Sequence, residues 1–314
     1  MANDVPAGLS GGLLQRRPRP YLAAGHALAD PQAADPLPGV LRRGLAGLTV
    51  TVRPGPHGEL FIGPGAPQPG RTLRRLVLSP LFARAQARGG RLNRDQWVPF
   101  RLVVAFGGPS RDVATLLRAY RVLDQWLRDH ASLLSRCLDG RLESGAVTVA
   151  VAGTVDVREL LAAQSRRYAF ADGSFDDIGS PSAPPAVVPM ISESWSRRFG
   201  WDGRDPITAE ERHLLHALVG AAHEDGRTVR MSGLPTGSRA ARRAVWAELA
   251  AAGVDVIADA DQPGLARYLR GHPVGRQVPL APASTRPEPI RPARPVAPAL
   301  PAVPDELGIK VNER

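Results

Sequence analysis

Lysine is almost absent from this chain: Lys310 is the only one in 314 residues, and arginine supplies the other basic side chains. Schiff-base chemistry in the globular part is thereby excluded, because it needs a lysine amine. Cysteine is as scarce. Cys137 stands alone, so there is no internal disulfide, and its place in the helical pattern Leu133-Leu134-Ser135-Arg136-Cys137-Leu138 marks it as a small buried hydrophobe rather than a reactive thiol. No segment approaches the roughly 20 apolar residues of a membrane-spanning helix. Met1 to Gly12 carry no positive charge ahead of the short pair Leu13-Leu14, so no signal peptide is expected and a cytoplasmic location is. Internal repeats are missing too, so nothing in the sequence forces two domains.

Positive charge and apolar content are what the chain has. A net charge of +10 and a hydrophobic fraction of 43% allow one large core and raise the question of a nucleic-acid partner. Arginine is spread along the whole length, which favours a solvated basic surface over a nucleic-acid footprint. Arg16-Arg17-Pro18-Arg19 and Arg239-Ala240-Ala241-Arg242-Arg243 are the local runs that could contact anions.

Short β-branched or apolar runs alternate with helical patterns, the mark of βα units on a parallel sheet. Strands are expected at 21–25, 48–52, 101–106, 146–152, 168–171, 188–191, 228–232 and 254–258. Helices are expected at 37–43, 72–87, 110–138, 157–164, 209–224, 239–252 and 264–270. Eight strands in this alternation form a (β/α)8 TIM barrel of about 250 residues. Thr208-Ala209-Glu210-Glu211 fits a capping box, with Thr208 accepting from the backbone and Glu211 reaching back. Ser110 is expected to open a long amphipathic helix whose apolar stripe, Trp126 included, packs on the barrel. Beyond His272 proline dominates, as in Arg286-Pro287-Glu288-Pro289-Ile290-Arg291-Pro292, a composition that favours extended disordered chain. The expected layout is a flexible segment 1–19, a barrel 20–272 and a Pro/Arg-rich tail 273–314 that is a candidate contact for a protein partner.

Functional residues of such a barrel sit where strands end and loops begin. The stretch from Ala24 to Gly65 carries a likeness there. His26-Ala27-Leu28-Ala29-Asp30-Pro31 lies where one family reads His-Ala-His-Asn-Asp-Tyr, and Gly44-Leu45-Ala46-Gly47-Leu48-Thr49-Val50-Thr51-Val52 lies where it reads Gly-Phe-x-x-x-Glu-x-Asp-Val. Gly58-Glu59-Leu60-Phe61-Ile62-Gly63-Pro64-Gly65 stands for a hairpin that ends in His-Asp, and Leu102-Val103-Val104-Ala105-Phe106-Gly107 for a strand that often bears an acid and a lysine. Arg167-Tyr168-Ala169-Phe170-Ala171-Asp172-Gly173 and Ile191-Ser192-Glu193-Ser194-Trp195, with Phe199 and Trp201, extend the likeness over roughly residues 20 to 270. The chain resembles the phosphatidylinositol-specific phospholipase C and glycerophosphodiester phosphodiesterase superfamily, in its bacterial and fungal branch.

That resemblance implies a metal-dependent phosphodiesterase barrel, and this sequence keeps its skeleton while lacking most of its chemistry. His26 matches the first catalytic histidine and is the residual general acid or base. Threonines replace the two cation-holding carboxylates and proline replaces the second histidine, so no cofactor is expected, with calcium or magnesium returning only to a rebuilt site. Asp30, Asp172, Glu193 and Asp259 near strand ends, with Trp195, are the candidate ligand-binding residues. Other patterns are weaker. His213 and His216 read as an exposed helix face, Gly233-Leu234-Pro235-Thr236-Gly237-Ser238 as a turn rather than an anion loop, and Ser192 lies in no nucleophile elbow. The expected protein is a catalytically impaired barrel that binds a phosphorylated small molecule or lipid headgroup. The alternatives are an active phosphoric diester hydrolase with a rebuilt site and an interaction platform built on the tail.

Overall fold

The computed structural model describes residues 20–55, 58–63, 65–107, 113–153, 157–272 and 274. The segment 1–19 with its arginine run, Pro64, the helix start at Ser110 and, apart from residue 274, the tail with Lys310 lie outside the described residues.

Eight parallel strands close into a barrel: β1 (Leu22–Leu28), β2 (Leu45–Pro54), β3 (Phe100–Phe106), β4 (Val147–Gly153), β5 (Phe170–Gly173), β6 (Met190–Ser194), β7 (Thr228–Ser232) and β8 (Val256–Asp259). They neighbour one another in chain order. Closure comes from β8 against β1, where His26 lies opposite Ala258, and from β1 against β2, where it lies opposite Gly47. Helices α1 (Leu37–Arg43), α2 (Ser79–Ala87), α3 (Val113–Arg128) and α4 (Arg158–Ala162) follow β1 to β4 in turn, a 3-10 turn (Phe175–Asp177) follows β5, α5 (Trp195–Arg198) and α6 (Ala209–Glu224) both follow β6, and α7 (Arg239–Ala251) and α8 (Gln262–Gly271) follow β7 and β8. This is the (β/α)8 architecture expected from the alternation of patterns. None of the described helices is long and apolar enough to cross a membrane.

The main core lies between the outer face of the sheet and the helices. Leu48, Val50 and Val52 of β2 face outward into it, as do Leu102 and Val104 of β3, while the residues between them face the lumen. Inside the barrel the side chains are small or polar. Val103, Ala150, Ala152 and Met190 form the apolar part of the filling. Tyr21, Ala46 and Val98 plug the bottom, with the Tyr21 hydroxyl donating to the Val98 carbonyl at 3.1 Å.

Two local expectations are corrected. The long helix expected over 110–138 is described from Val113 and stops at Arg128; a 3-10 turn, Ala131–Leu133, follows, and Cys137 sits in a short strand, Arg136–Leu138. That strand pairs with Arg141–Glu143 through the two-residue turn Asp139-Gly140, whose φ angles of +48° and +81° make it type I′. Cys137 is fully buried, as expected. The capping box at α6 is only half formed: Thr208 accepts from the Glu211 amide at 3.2 Å, but the Glu211 carboxylate instead holds the Gly200 and Trp201 amides. Trp126 is half-buried against the core with the Arg74 guanidinium over its ring.

Candidate functional site

The barrel lumen holds a continuous polar chain contributed by five strands. The His26 ring on β1 meets the Thr49 hydroxyl on β2, Nε2 to Oγ1 at 2.8 Å. Thr49 also accepts from the Arg230 guanidinium of β7 at 2.8 Å. A second nitrogen of that guanidinium lies 3.9 Å from Asp172 of β5, and the other Asp172 oxygen accepts from the Ser192 hydroxyl of β6 at 2.5 Å. Arg101 of β3 lies deeper and donates to the Ala23 carbonyl at 3.1 Å.

The backbone makes room for this arrangement in two places. The pairing of β1 with β2 shifts register between Leu22 and His26, a bulge that turns the imidazole into the lumen. Gly47 then provides the space the ring occupies, since a Cβ there would lie 2.1 Å from His26 Nδ1. The ring is sealed, with no exposed surface. Nδ1 has no hydrogen-bond partner. A threonine hydroxyl can accept from two donors or donate to one, so either tautomer of His26 satisfies Nε2, and both leave Nδ1 bare.

Charge in the lumen is unbalanced. Among the described residues two guanidiniums, Arg230 and the deeper Arg101, share the lumen with one carboxylate, Asp172. Burial above all, then the fields of Arg230 and Arg101, hold the His26 pKa well below its usual value, so the ring is neutral. Burial raises the Asp172 pKa, against the opposing pull of Arg230 and the Ser192 hydrogen bond. Burial also lowers that of Arg230. Arg230 is 4% exposed, its Nε has no partner, and among the described residues the only one of its five N–H groups that is hydrogen-bonded is the donor to Thr49.

Above this floor the barrel opens at the C-terminal ends of the strands. Thr51, one lumen-facing position beyond Thr49, is exposed, and Ser192, Ser194 and Ser232 line the rim half-buried. Arg53, the next lumen-side residue of β2, also has a buried Nε without a partner.

The residues singled out in the sequence divide cleanly. His26 and Asp172 join the lumen chain. Glu193 and Asp259 project from alternate positions to the outer face of the sheet, where Glu193 binds Arg198 at 3.3 Å and Asp259 accepts from the Trp246 indole at 3.0 Å. Asp30 is an exposed turn residue that accepts from the Gln32 amide at 2.9 Å. Trp195 is core, stacked on Phe199 with its indole donating to the Trp201 carbonyl at 2.8 Å. His213 and His216 are exposed on α6, and Ser238 caps α7 by accepting from the Ala241 amide. Arg230, Arg101 and Arg53 were missed. A charged residue in the middle of a buried run, as in Thr228-Val229-Arg230-Met231-Ser232, was the available signal.

A divalent cation does not fit these residues. Among the described residues no group of three or more His, Cys, Asp or Glu side chains could hold a metal ion. The single lumen carboxylate is held by a serine and paired with a guanidinium, and two lumen arginines would repel a cation. No catalytic step through calcium or magnesium is therefore derived. Proton transfer is equally constrained: His26 is sealed from the rim, and its one engaged nitrogen is committed to Thr49.

No protein-family model matches the chain, and no curated protein matches it. Among solved structures, it is similar to a glycerophosphodiester phosphodiesterase from Agrobacterium tumefaciens, at 15% identity and a TM-score of 0.41 over 79% of this chain and 100% of that one. It is similar to another from Parabacteroides distasonis, at 10% identity and a TM-score of 0.44 over 79% and 98% of the two chains. It is also similar to S. officinalis PLC21, at 13% identity and a TM-score of 0.36, where it matches 71% of this chain and 30% of that one. The likeness of this chain to glycerophosphodiester phosphodiesterases and phospholipase C structures is one of barrel fold.

Proposed function

We propose that the protein is a non-catalytic barrel of the phosphodiesterase-like kind that binds a small phosphorylated or otherwise anionic ligand at its C-terminal mouth. One observation carries this reading: Arg230 is buried at the floor of the mouth with most of its N–H groups unpartnered. A buried guanidinium costs several kcal/mol unless its charge and its donors are matched. An oxyanion would match both, because the planar guanidinium presents paired N–H donors that two oxygens of a phosphate can accept side by side. The hydroxyls of Thr51, Ser192, Ser194 and Ser232 supply neutral contacts suited to the polar remainder of such a ligand.

The same geometry supports the non-catalytic part of the proposal. Phosphodiester cleavage requires a base, an acid and a counter-charge for the developing oxyanion. Arginine could serve the last, but the only lumen imidazole among the described residues is neutral, buried and bonded to a threonine. The test is a panel of glycerophosphodiesters and inositol phosphates, read both by thermal shift and by product release, with and without calcium or magnesium. Stabilisation without turnover is expected. Turnover that disappears in His26→Ala would overturn the non-catalytic reading, and a flat thermal response across the panel would overturn the binding reading.

A further inference from the structure

The arrangement of Asp172 points to a control built into the mouth. Among the described residues its carboxylate is the only acidic group in the lumen network and the nearest counter-charge to Arg230, yet the two do not form a hydrogen-bonded pair. The closest approach is 3.9 Å, because the opposite oxygen is drawn to Ser192 at 2.5 Å. Arg230 is thus neutralised at a distance while its N–H groups stay open. An incoming oxyanion can take those donors at hydrogen-bonding distance, but it must do so beside a carboxylate of like charge in a poorly solvated setting.

We propose that Asp172 is an internal counter-ion that competes with the ligand for Arg230, so that the mouth is closed to anions while Asp172 is ionised and opened by its protonation. This rests on the anion-binding reading above. Ser192 is the positioning residue of the device: its hydroxyl donates to the carboxylate and stabilises the closed, ionised form.

Among the described residues, the other groups of the lumen leave the proton with Asp172. Arg230 on β7 and Arg101 on β3 stay charged throughout the accessible range. His26 on β1 is held neutral by burial and by those same arginines. Thr49 on β2, Ser192 on β6, Ala150 and Ala152 on β4 and Ala258 on β8 carry no titrating charge. Burial raises the Asp172 pKa above the usual carboxylate value, against the opposing pull of Arg230 and the Ser192 hydrogen bond, which widens the range in which it can be protonated. Ligand binding is then accompanied by proton uptake, and affinity declines above the folded pKa by up to tenfold for each pH unit.

The experiment measures binding of sulfate and of glycerophosphoglycerol, neither of which titrates between pH 5.5 and 8.5, by calorimetry in buffers of different ionisation enthalpy. Wild type should bind more weakly as pH rises and take up protons. Asp172→Asn should bind at least about tenfold tighter than wild type at pH 8.5, lose the pH dependence and take up none. Ser192→Ala, which removes the hydroxyl that favours the ionised form, should move the wild-type profile to higher pH and keeps the test open if Asp172→Asn does not fold. Binding by all three proteins with one common pH profile would overturn the gate and leave the anion site standing. Proton uptake that persists in Asp172→Asn would assign the proton to His26 and likewise overturn it. Absence of binding by every variant at every pH would overturn the site itself, and the gate with it.

Discussion

A neutral histidine sealed in a barrel ties the stability of this fold to pH. In the unfolded chain His26 takes up a proton below about pH 6.5. In the folded chain burial, Arg230 and Arg101 keep it neutral to well below that value. The unfolded state therefore binds more protons as pH falls, and stability declines from about pH 6.5 downward with a slope of up to about 1.4 kcal/mol per pH unit. Asp172 has the opposite sign. Its folded pKa is raised, so the folded state protonates first and recovers a penalty that is present at neutral pH. Its contribution partly offsets that of His26 in the range just above the usual carboxylate pKa. Replacing His26 by leucine removes a titrating group and an unpartnered Nδ1 while Thr49 keeps Arg230 as its donor. Urea denaturation of His26→Leu between pH 5 and 7.5 should show the acid slope flattened by about 1 kcal/mol per unit. An unchanged slope would place the acid sensitivity in another group. None of this was legible at residue level from the motif alone. The sequence placed His26 at a strand end, which reads as access to substrate, and only the bulge in β1 and the space above Gly47 bury it.

At the scale of elements, the pattern of apolar residues carried most of the fold, and what it hid was short and locally coded. All eight barrel strands were legible because each is a β-branched or apolar run between turn signals. The ends of α1 and α6 matched as well, since Gly44 closes one in the left-handed region and Thr208 opens the other. The helix after β3 was drawn too long for a definable reason. Its apolar spacing continues past Arg128 by chance, and it was drawn up to the Asp139-Gly140 hairpin signal, over the strand Arg136–Leu138 that the signal implies ahead of it. The half-formed cap of α6 has a similar cause. Spacing identifies Glu211 as a partner for the helix start, but tertiary packing gives it better donors in the loop that follows α5, at 2.6 Å from the Gly200 amide and 3.3 Å from that of Trp201. That loop is also fixed by the Trp195 indole on the Trp201 carbonyl. Glu211→Ala should cost about 1 kcal/mol, on the scale of one charge-assisted hydrogen bond at a partly solvated site. Faster amide exchange at Gly200 and Trp201, with α6 itself unaffected, would locate the loss in the loop; fraying of the first turn of α6 instead would return Glu211 to its capping role.

The whole sequence carries a net charge of +10, part of it an excess of guanidinium inside the barrel, and salt distinguishes the surface charge from the buried one. Surface arginines repel one another through solvent, so any simple electrolyte relieves them by screening, with a Debye length near 8 Å at 0.15 M. Arg230 at the floor of the mouth is reached by no such screening. It responds only to an ion that enters and binds. At constant ionic strength, replacing part of the sodium chloride with sodium sulfate therefore leaves the surface term unchanged and isolates occupancy of the mouth. A ligand at ten times its Kd adds about 1.4 kcal/mol to folding, which for a domain of this size raises the melting midpoint by about 3–6 °C. The increment should be largest at the acid end of the range, where Asp172 is protonated. It should vanish in Arg230→Met made together with Asp172→Asn, so that no carboxylate is left unpaired, while the response to sodium chloride survives. Calcium or magnesium chloride at matched ionic strength should add nothing, since the lumen offers a cation one committed carboxylate and two positive neighbours. A midpoint raised by those cations and not by sulfate would invert the sign of the site and point to cation binding in the lumen.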